Sequence, residues 1–395
     1  MRSAECRIRK KSEPPGVGCY ESARTCCYFI LLPFCHLVPE FLHGRVHHTA
    51  RMGRIIMNAS FKAYAAAGKG QALAPFEFAP GPLQDEEVEI KIRYCGVCHS
   101  DLSMLENEWA MTQYPFVPGH EVAGVVAAAG RDVKRVKVGD VVGLGWYSAS
   151  CLACPQCLSG NHNLCPNVQQ TMIGRHGGFA DRVRCHWLWA TPLPAGLDAS
   201  KAGPLFCGGI TVFNPIVQCN VKPTDRVGVL GIGGLGHLAL QFLRQWGCEV
   251  YAFTSNEKKY EEARAFGAHQ AINSRDAGQM EKIAHSLNFI ISTVNVPLEW
   301  PAILNTLAPK GRLHIVGAVL EPIPVTAFSL IEGQKTISGS PLGSPATTLQ
   351  MLDFCVRHQI AAKTELFPLS RVNDALAHLR AGKARYRIVL ENDFR

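Results

Sequence analysis

Four cysteines in one short stretch, Cys151-x2-Cys154-x2-Cys157-x7-Cys165, constrain this chain more than any other feature. Four thiolates gathered in one loop repel one another and would stay protonated near their free pKa of about 8.5. A divalent zinc ion removes that conflict by binding four S⁻ tetrahedrally, as closed structural sites do. Such binding supplies on the order of 10 kcal/mol in small peptides, enough to dictate the conformation of the loop. The spacing therefore predicts a lobe at 151–165 wrapped on one ion, with Pro155, Gly160 and Pro166 as its punctuation. Four protein ligands leave no open position, so this lobe is structural rather than catalytic.

The chain has 16 cysteines in 395 residues, a number that in a short secreted protein would mean a disulfide framework. This chain is not short, and no clean apolar core with a small-residue cleavage site stands near its start. A reducing compartment, and with it a cytoplasmic location, is expected. The net charge is +8, but residues 1–57 carry nine Lys/Arg against four acids, so most of the surplus lies there. The remainder has no basic stripe with interleaved aromatics, so no nucleic-acid partner is expected. No apolar run reaches the roughly 18–20 residues of a membrane span, so no membrane partner is expected either.

Residues 1–57 differ in character from the rest of the chain. Cys26–Leu42 is apolar but interrupted by Pro33, His36, Pro39 and Glu40, and Met52 and Met57 are in-frame alternative starts. The segment is expected to be a disordered N-terminal extension, a translated upstream region or a targeting segment. From Phe61 onward short Val-rich strands alternate with glycine turns, as in Glu87–Arg93, Glu121–Ala128 and Val138–Leu144, which predicts an antiparallel barrel. Near Gly208 the rhythm changes to strand-helix alternation, with strands at Asp225–Gly231, Glu249–Phe253, Phe289–Val294 and Gly311–Val316. That rhythm predicts a parallel sheet with crossover helices. A helix at Ala346–His358 and a strand at Tyr386–Leu390 are expected to return to the first domain.

A second metal site is suggested by three separated pieces: Gly96–Asp101, Pro118–Glu121 and Phe206–Gly209. Cys98, His120 and Cys207 each stand in a glycine-bearing loop beside an apolar strand. Three protein ligands plus an open position make the pattern of a catalytic zinc, which polarises a carbonyl or lowers the pKa of a bound hydroxyl. Asp101 either orients His120 through its second ring nitrogen or serves as a first-turn helix acid. Ser100 either passes a proton or caps a helix.

Gly231-Ile-Gly233-Gly234-Leu-Gly236 follows a predicted strand and opens a predicted helix, the context that a dinucleotide turn requires. Gly231 allows the tight turn, Gly233 lets backbone approach a pyrophosphate, and Gly236 lets helix and strand pack closely. At the tip of the next strand stands Phe253-Thr254-Ser255-Asn256, with Lys258 and Lys259 behind and no carboxylate for a ribose 2′-hydroxyl. That composition favours NADP over NAD, although Thr254-x-x-Glu257 also reads as a capping box.

With these pieces in order, the chain resembles the zinc-containing medium-chain alcohol dehydrogenases, in the branch of cinnamyl alcohol dehydrogenases and bacterial or cyanobacterial NADPH aldehyde reductases. The motifs carrying the resemblance are GVCHSDL (96–102), VPGHEVAGVV (117–126), the cysteine lobe, FCGGITVF (206–213) and VLGIGGLGHLALQF (229–242), and it spans about Lys62 to Leu390. It implies an α/β plus β fold: a GroES-like catalytic domain (58–206 and 342–395) interrupted by an NADP-binding Rossmann domain (207–341), a doubly wound parallel sheet. Cys98, His120 and Cys207 would hold a catalytic zinc with Glu121 close by, and Cys151, Cys154, Cys157 and Cys165 a structural one. Ser100 would relay a proton, His99 would lie near the cofactor phosphates, and Thr211 would lie beside the nicotinamide. Gly231, Gly233, Gly234 and Gly236 would form the phosphate turn, and Thr254, Ser255, Asn256 and Lys259 the 2′-phosphate region. One position departs: relatives that end the relay with a histidine five residues after the first zinc cysteine have Ser103 as its counterpart here.

The reading that results is a zinc-dependent NADP(H) alcohol dehydrogenase that works as an aldehyde reductase. Trp109 and Trp146 are candidate walls of a pocket for an aromatic or medium aliphatic aldehyde or alcohol, or are simply core. Family habit implies a homodimer or homotetramer. The rivals are an NAD(H)-dependent polyol or alcohol dehydrogenase of the same fold and a catalytically idle zinc- and nucleotide-binding regulatory protein.

Overall fold

The computed structural model describes residues 60–394, and the expectation for residues 1–57 lies outside them. Two sheets organise the chain. The first follows the order Thr364–Pro368, Arg387–Glu391, Glu87–Val97, Val122–Ala129, Val141–Leu144, Thr191–Pro192, with Arg182–His186 also paired to Glu87–Val97. Its strands are antiparallel except the first pair, and the tail strand Arg387–Glu391 enters it against Glu87–Val97 with Ile388 opposite Val97. Inward residues such as Val88, Ile90, Val122, Val142, Phe179 and Ile388 form its core, which makes the GroES-like part.

The second sheet has six parallel strands in the order Gln270–Ile272, Glu249–Phe253, Arg226–Leu230, Leu287–Ser292, Leu307–Ile315, Thr336–Gly339. The chain moves outward from the central strand Arg226–Leu230 in both directions, as in a Rossmann sheet. Apolar residues fill both faces: Val227, Val229, Leu240 and Phe242 on one, Leu230, Phe253, Trp300 and Leu313 on the other. Burial on both faces is why these strands read as near-continuous hydrophobic runs. Helix Gly236–Trp246 lays Leu238, Ala239, Leu240, Phe242 and Leu243 on the sheet and stops at Gly247, whose φ of +106° suits glycine.

The sequence extends one strand too far, beginning it at Val138. In the structure, Val138 is 61% exposed and the strand starts at Val141. The Lys137 N–H donates to Asp140 Oδ2 (2.9 Å) and Gly139 takes φ +95°, so a turn occupies the residues before the strand. Among the described residues no helix is long and apolar enough to cross a membrane.

His237, on the first turn of the helix that opens at Gly236, has a fixed protonation state. Its Nδ1 faces the Gly233 carbonyl at 3.0 Å, which can only accept, and its Nε2 faces the Lys363 N–H at 3.2 Å, which can only donate. The ring is therefore neutral with its proton on Nδ1, and burial pushes its pKa down to about 4. Between the unfolded value of about 6.5 and this lower one, the unfolded chain binds the extra proton, so the stabilisation is complete above pH 6.5 and lost as pH falls toward 4. Chemical unfolding at pH 7 and pH 4.5 should show wild type losing roughly 2 kcal/mol more than His237→Gln, whose amide has no proton to gain.

Candidate metal and dinucleotide site

Helix His99–Leu105 begins at Cys98, which is its N-cap; Ser100, read from the sequence as a candidate cap, lies inside the helix. The cap is reciprocal, with the Cys98 side chain facing the third-residue N–H and Asp101 Oδ2 accepting from the Cys98 N–H at 2.8 Å. The other Asp101 oxygen accepts from the Gly119 N–H (2.9 Å) and meets His120 Nδ1 at 3.2 Å. Both readings of Asp101 therefore hold together: it is a first-turn acid and it orients His120. Cys207 in turn caps helix Gly208–Gln218, which carries Thr211.

Cys98, His120, Glu121 and Cys207 converge, with one ligand atom from each lying within 4.8 Å of all the others. Cys98 Sγ is 3.7 Å from Cys207 Sγ, and His120 Nε2 is 3.3 Å from Cys207 Sγ. A tetrahedral ion with Zn–S of about 2.3 Å sets its sulfurs about 3.8 Å apart, so this donor set fits zinc. The proton balance points the same way. The contact with Cys207 draws Cys98 well below the usual thiol range while raising Cys207, so the two share one charge. Burial works to lower the His120 pKa, but the Asp101 carboxylate and Cys98 outweigh it and push it up to about 10. Such a cluster asks for positive charge at its centre. Ser100 Oγ is 3.6 Å from Cys98 Sγ, His99 is exposed, and Ser103 is buried.

The four-cysteine lobe also closes: Cys151, Cys154, Cys157 and Cys165 offer sulfurs within 4.8 Å of one another. Backbone N–H groups of Cys154 and Cys157 point at the sulfurs of Cys151 and Cys154 at 3.4 and 3.5 Å, as they would at thiolates. Those of Ala153 and Cys154 lower the Cys151 thiol to about 6.

In the glycine turn, Gly231 takes φ +86°, and a Cβ on Gly236 would strike the Gly231 carbonyl. A Cβ on Gly233 would meet nothing within 4 Å, which leaves its approach open to a ligand. Thr254 is buried, Ser255 and Asn256 are exposed, and Lys259 Nζ donates to the Ile232 carbonyl inside the turn at 2.9 Å. The expected capping box does not form. Asn256 caps the short helix Glu257–Lys259 through its own side chain, and Thr254 Oγ1 accepts from the Asn256 N–H instead.

Sequence reasoning missed Arg387. Its guanidinium is 4% exposed and paired with Glu121, which is fully buried. A Cβ on Gly234 would lie 2.8 Å from Arg387 Nη1, so the same side chain fills the space beside the glycine turn. Arg387 thus spans from the metal cluster to the dinucleotide turn. Burial raises the Glu121 pKa to about 7 even though Arg387 opposes it, and Glu121 Oε2 and Arg387 Nε have no hydrogen-bond partner. The one available signal was an arginine at the head of an apolar strand.

Comparison with known proteins agrees with this architecture. Residues 84–195 match the family described as "Alcohol dehydrogenase GroES-like domain" and residues 234–357 match "Zinc-binding dehydrogenase". The chain is 54% identical over 331 residues to aldehyde reductase AdhA of Synechocystis, covering 84% of this chain and 98% of that protein. Cinnamyl alcohol dehydrogenase of Sorghum bicolor superposes with TM-score 0.81 at 35% identity, covering 84% and 98% of the two chains. The Helicobacter pylori enzyme, complexed with NADP(H), gives 0.78 at 30% identity over 85% and 99%. Fold and site together define an oxidoreductase of the alcohol–aldehyde class. The chain belongs to the zinc-type medium-chain dehydrogenase/reductase family, close to the cyanobacterial aldehyde reductases and plant cinnamyl alcohol dehydrogenases.

Removing one partner of a buried ion pair leaves the other charge uncompensated, a loss of about 3–5 kcal/mol, whereas apolar replacement of both is nearly neutral. Arg387→Ala should accordingly lower stability by that amount in urea unfolding, and Glu121→Gln/Arg387→Met should recover most of it.

Proposed function

We propose that this protein is a zinc-dependent NADP(H) alcohol dehydrogenase that reduces aldehydes to primary alcohols. The observation carrying the reading is that Cys98, His120 and Cys207 meet at one point, joined through Glu121 and Arg387 to the glycine turn. Cys98, His120 and Cys207 would hold the catalytic zinc, with Glu121 beside it, and the four lobe cysteines a structural zinc. When bound, the ion supplies Lewis acidity at the substrate oxygen and the nicotinamide supplies the hydride.

The chain's own residues do the rest. Asp101 fixes the His120 ring so that Nε2 faces the thiols. Ser100 Oγ, beside Cys98, gives the proton that the new alcohol oxygen needs. It takes one back from solvent near exposed His99, since Ser103 is buried. Thr211, on the helix that follows Cys207, would flank the nicotinamide. Trp146 meets His120 edge-on at 4.9 Å between ring centroids, and Trp109 meets Trp146 at 6.0 Å. Met104, Phe116 and Met172 pack beneath them. These two rings form an apolar wall that excludes water and suits an aromatic or medium aliphatic aldehyde. Thr254, Ser255 and Lys259, without a carboxylate at the strand tip, support NADP(H) over NAD(H).

We place the boundaries of the catalytic domain at 58–206 and 342–395 and those of the cofactor domain at 207–341. A homodimer fits the exposed Phe328 and Ile331 (71% and 66%), which precede the edge strand Thr336–Gly339 in the chain. Unpaired thiols at all eleven described cysteines suit a cytoplasmic, reducing location.

The direct test is aldehyde-dependent oxidation of NADPH and NADH with metal analysis. Wild type should carry two zinc ions per chain and oxidise NADPH in preference. Cys98→Ala should carry one and lose activity by at least about 10³-fold, as befits loss of the electrophile. Undiminished turnover in that variant would remove the site assignment. Trp146→Ala should raise KM for an aromatic aldehyde several-fold, with less effect on acetaldehyde, in steady-state kinetics.

A further inference from the structure

Tyr386 stands just before Arg387, and its ring is the hub of a second group of contacts beyond the metal cluster. The ring stacks on His237, with centroids 5.1 Å apart and planes 16° from parallel, and meets Phe266 edge-on at 5.2 Å. Its hydroxyl donates to Glu262. Two ammonium groups lie over the ring, Lys259 at 5.9 Å and Lys363 at 6.0 Å from its centroid. Aromatic faces attract cations, so the ring draws each amine toward itself.

The backbone fixes that spot against the dinucleotide turn. The Lys363 N–H donates to His237 Nε2, and the Lys363 carbonyl accepts from the N–H groups of both Tyr386 and Arg387 at 3.0 Å. Lys363 and Arg385 therefore ride on the tail yet are bolted to the first turn of the helix that opens at Gly236. Lys259 arrives from the other side, from the loop after strand Glu249–Phe253, and touches the turn at Ile232.

Positive charge is in excess here. Glu262 is engaged by the Tyr386 hydroxyl, and Glu365 by the Arg385 N–H and the His378 ring. The Arg385 guanidinium donates only to the carbonyls of Gly382 and Ala384. Among the described residues, neither Lys259, Lys363 nor Arg385 is paired with a carboxylate through its side chain. The Lys259 pKa is lowered by burial and then by Arg385, ahead of the opposing effect of Glu262.

We propose that Lys363 and Arg385, together with Lys259, form a cationic collar around Tyr386 that receives the 2′-phosphate of the dinucleotide. This rests on the NADP(H) reading and extends it, because two of the three cations come from the tail rather than from the strand tip at 254–259. A phosphate monoester brings about −1.5 to −2 charges at pH 7, where NAD(H) offers a neutral hydroxyl. The collar therefore acts on the binding of one cofactor and not the other.

The test uses the full chain with Lys363→Gln, Arg385→Gln and the double substitution, all at exposed positions. Kinetics with NADPH and NADH are compared with binding of adenosine 2′,5′-bisphosphate and adenosine 5′-monophosphate. The double variant should lose about tenfold of the preference for NADPH, through KM rather than kcat, and should bind the bisphosphate with a shallower salt dependence. If wild type prefers NADPH and the variants keep its ratio, the collar is overturned while the cofactor reading stands. An equal loss with both cofactors also overturns it, because the phosphates common to both would then be the ones sensed. A wild-type preference for NADH overturns collar and cofactor reading together.

Discussion

The buried pairing of Glu121 with Arg387 is the contact at which the first sheet, the tail and the glycine turn of this protein meet. Two charges withdrawn from water cost several kcal/mol each, and only close opposition returns that cost. Meeting it requires three things at once: the loop ahead of strand Val122–Ala129, the tail strand Arg387–Glu391, and a residue without a side chain at Gly234. The tail must therefore travel back across the parallel sheet and insert beside Glu87–Val97, which is what it does. Glycine at 234 leaves the room that the arginine fills.

That geometry gives the two sheets a common working edge. Helix Gly208–Gln218 starts at Cys207, in the metal cluster, and packs against helix Gly236–Trp246, which starts at the glycine turn. Two helix N-termini from different parts of the chain thus converge, each with free N–H groups and the positive end of its dipole. The cysteines of the cluster gather at one, and the glycine turn leads into the other.

Much of this was legible in the sequence, for reasons of range. The cysteine lobe is local, so its spacing alone predicts its closure. The parallel strands are buried on both faces and announce themselves as apolar runs, and for Glu249–Phe253 the apolar run and the strand coincide to the residue. The convergence of Cys98, His120 and Cys207 came from weaker signals, each a glycine-bearing loop next to a strand. Arg387 was hard to read, because its partner lies 266 residues away and its only local mark is its place at the head of an apolar strand. The caps were misread: Cys98, a type the capping preferences do not favour, takes the position read for Ser100, and Asn256, which they rank with serine, takes the one read for Thr254.

The two metal-donor clusters differ in how much of their shape the protein provides. Around Cys98 and His120, one inaccessible carboxylate, Asp101, grips two backbone amides and a ring, so the donors are held by hydrogen bonds that exist whether or not an ion is there. In the lobe no carboxylate holds the donors: Cys151 is exposed, Cys154 is partly exposed, and the sulfurs themselves meet weak N–H···S contacts. One is a mould that an ion enters; the other is a knot that an ion ties. Slow withdrawal of metal should thus unpick the chain from the lobe inward, while the mould outlasts its occupant.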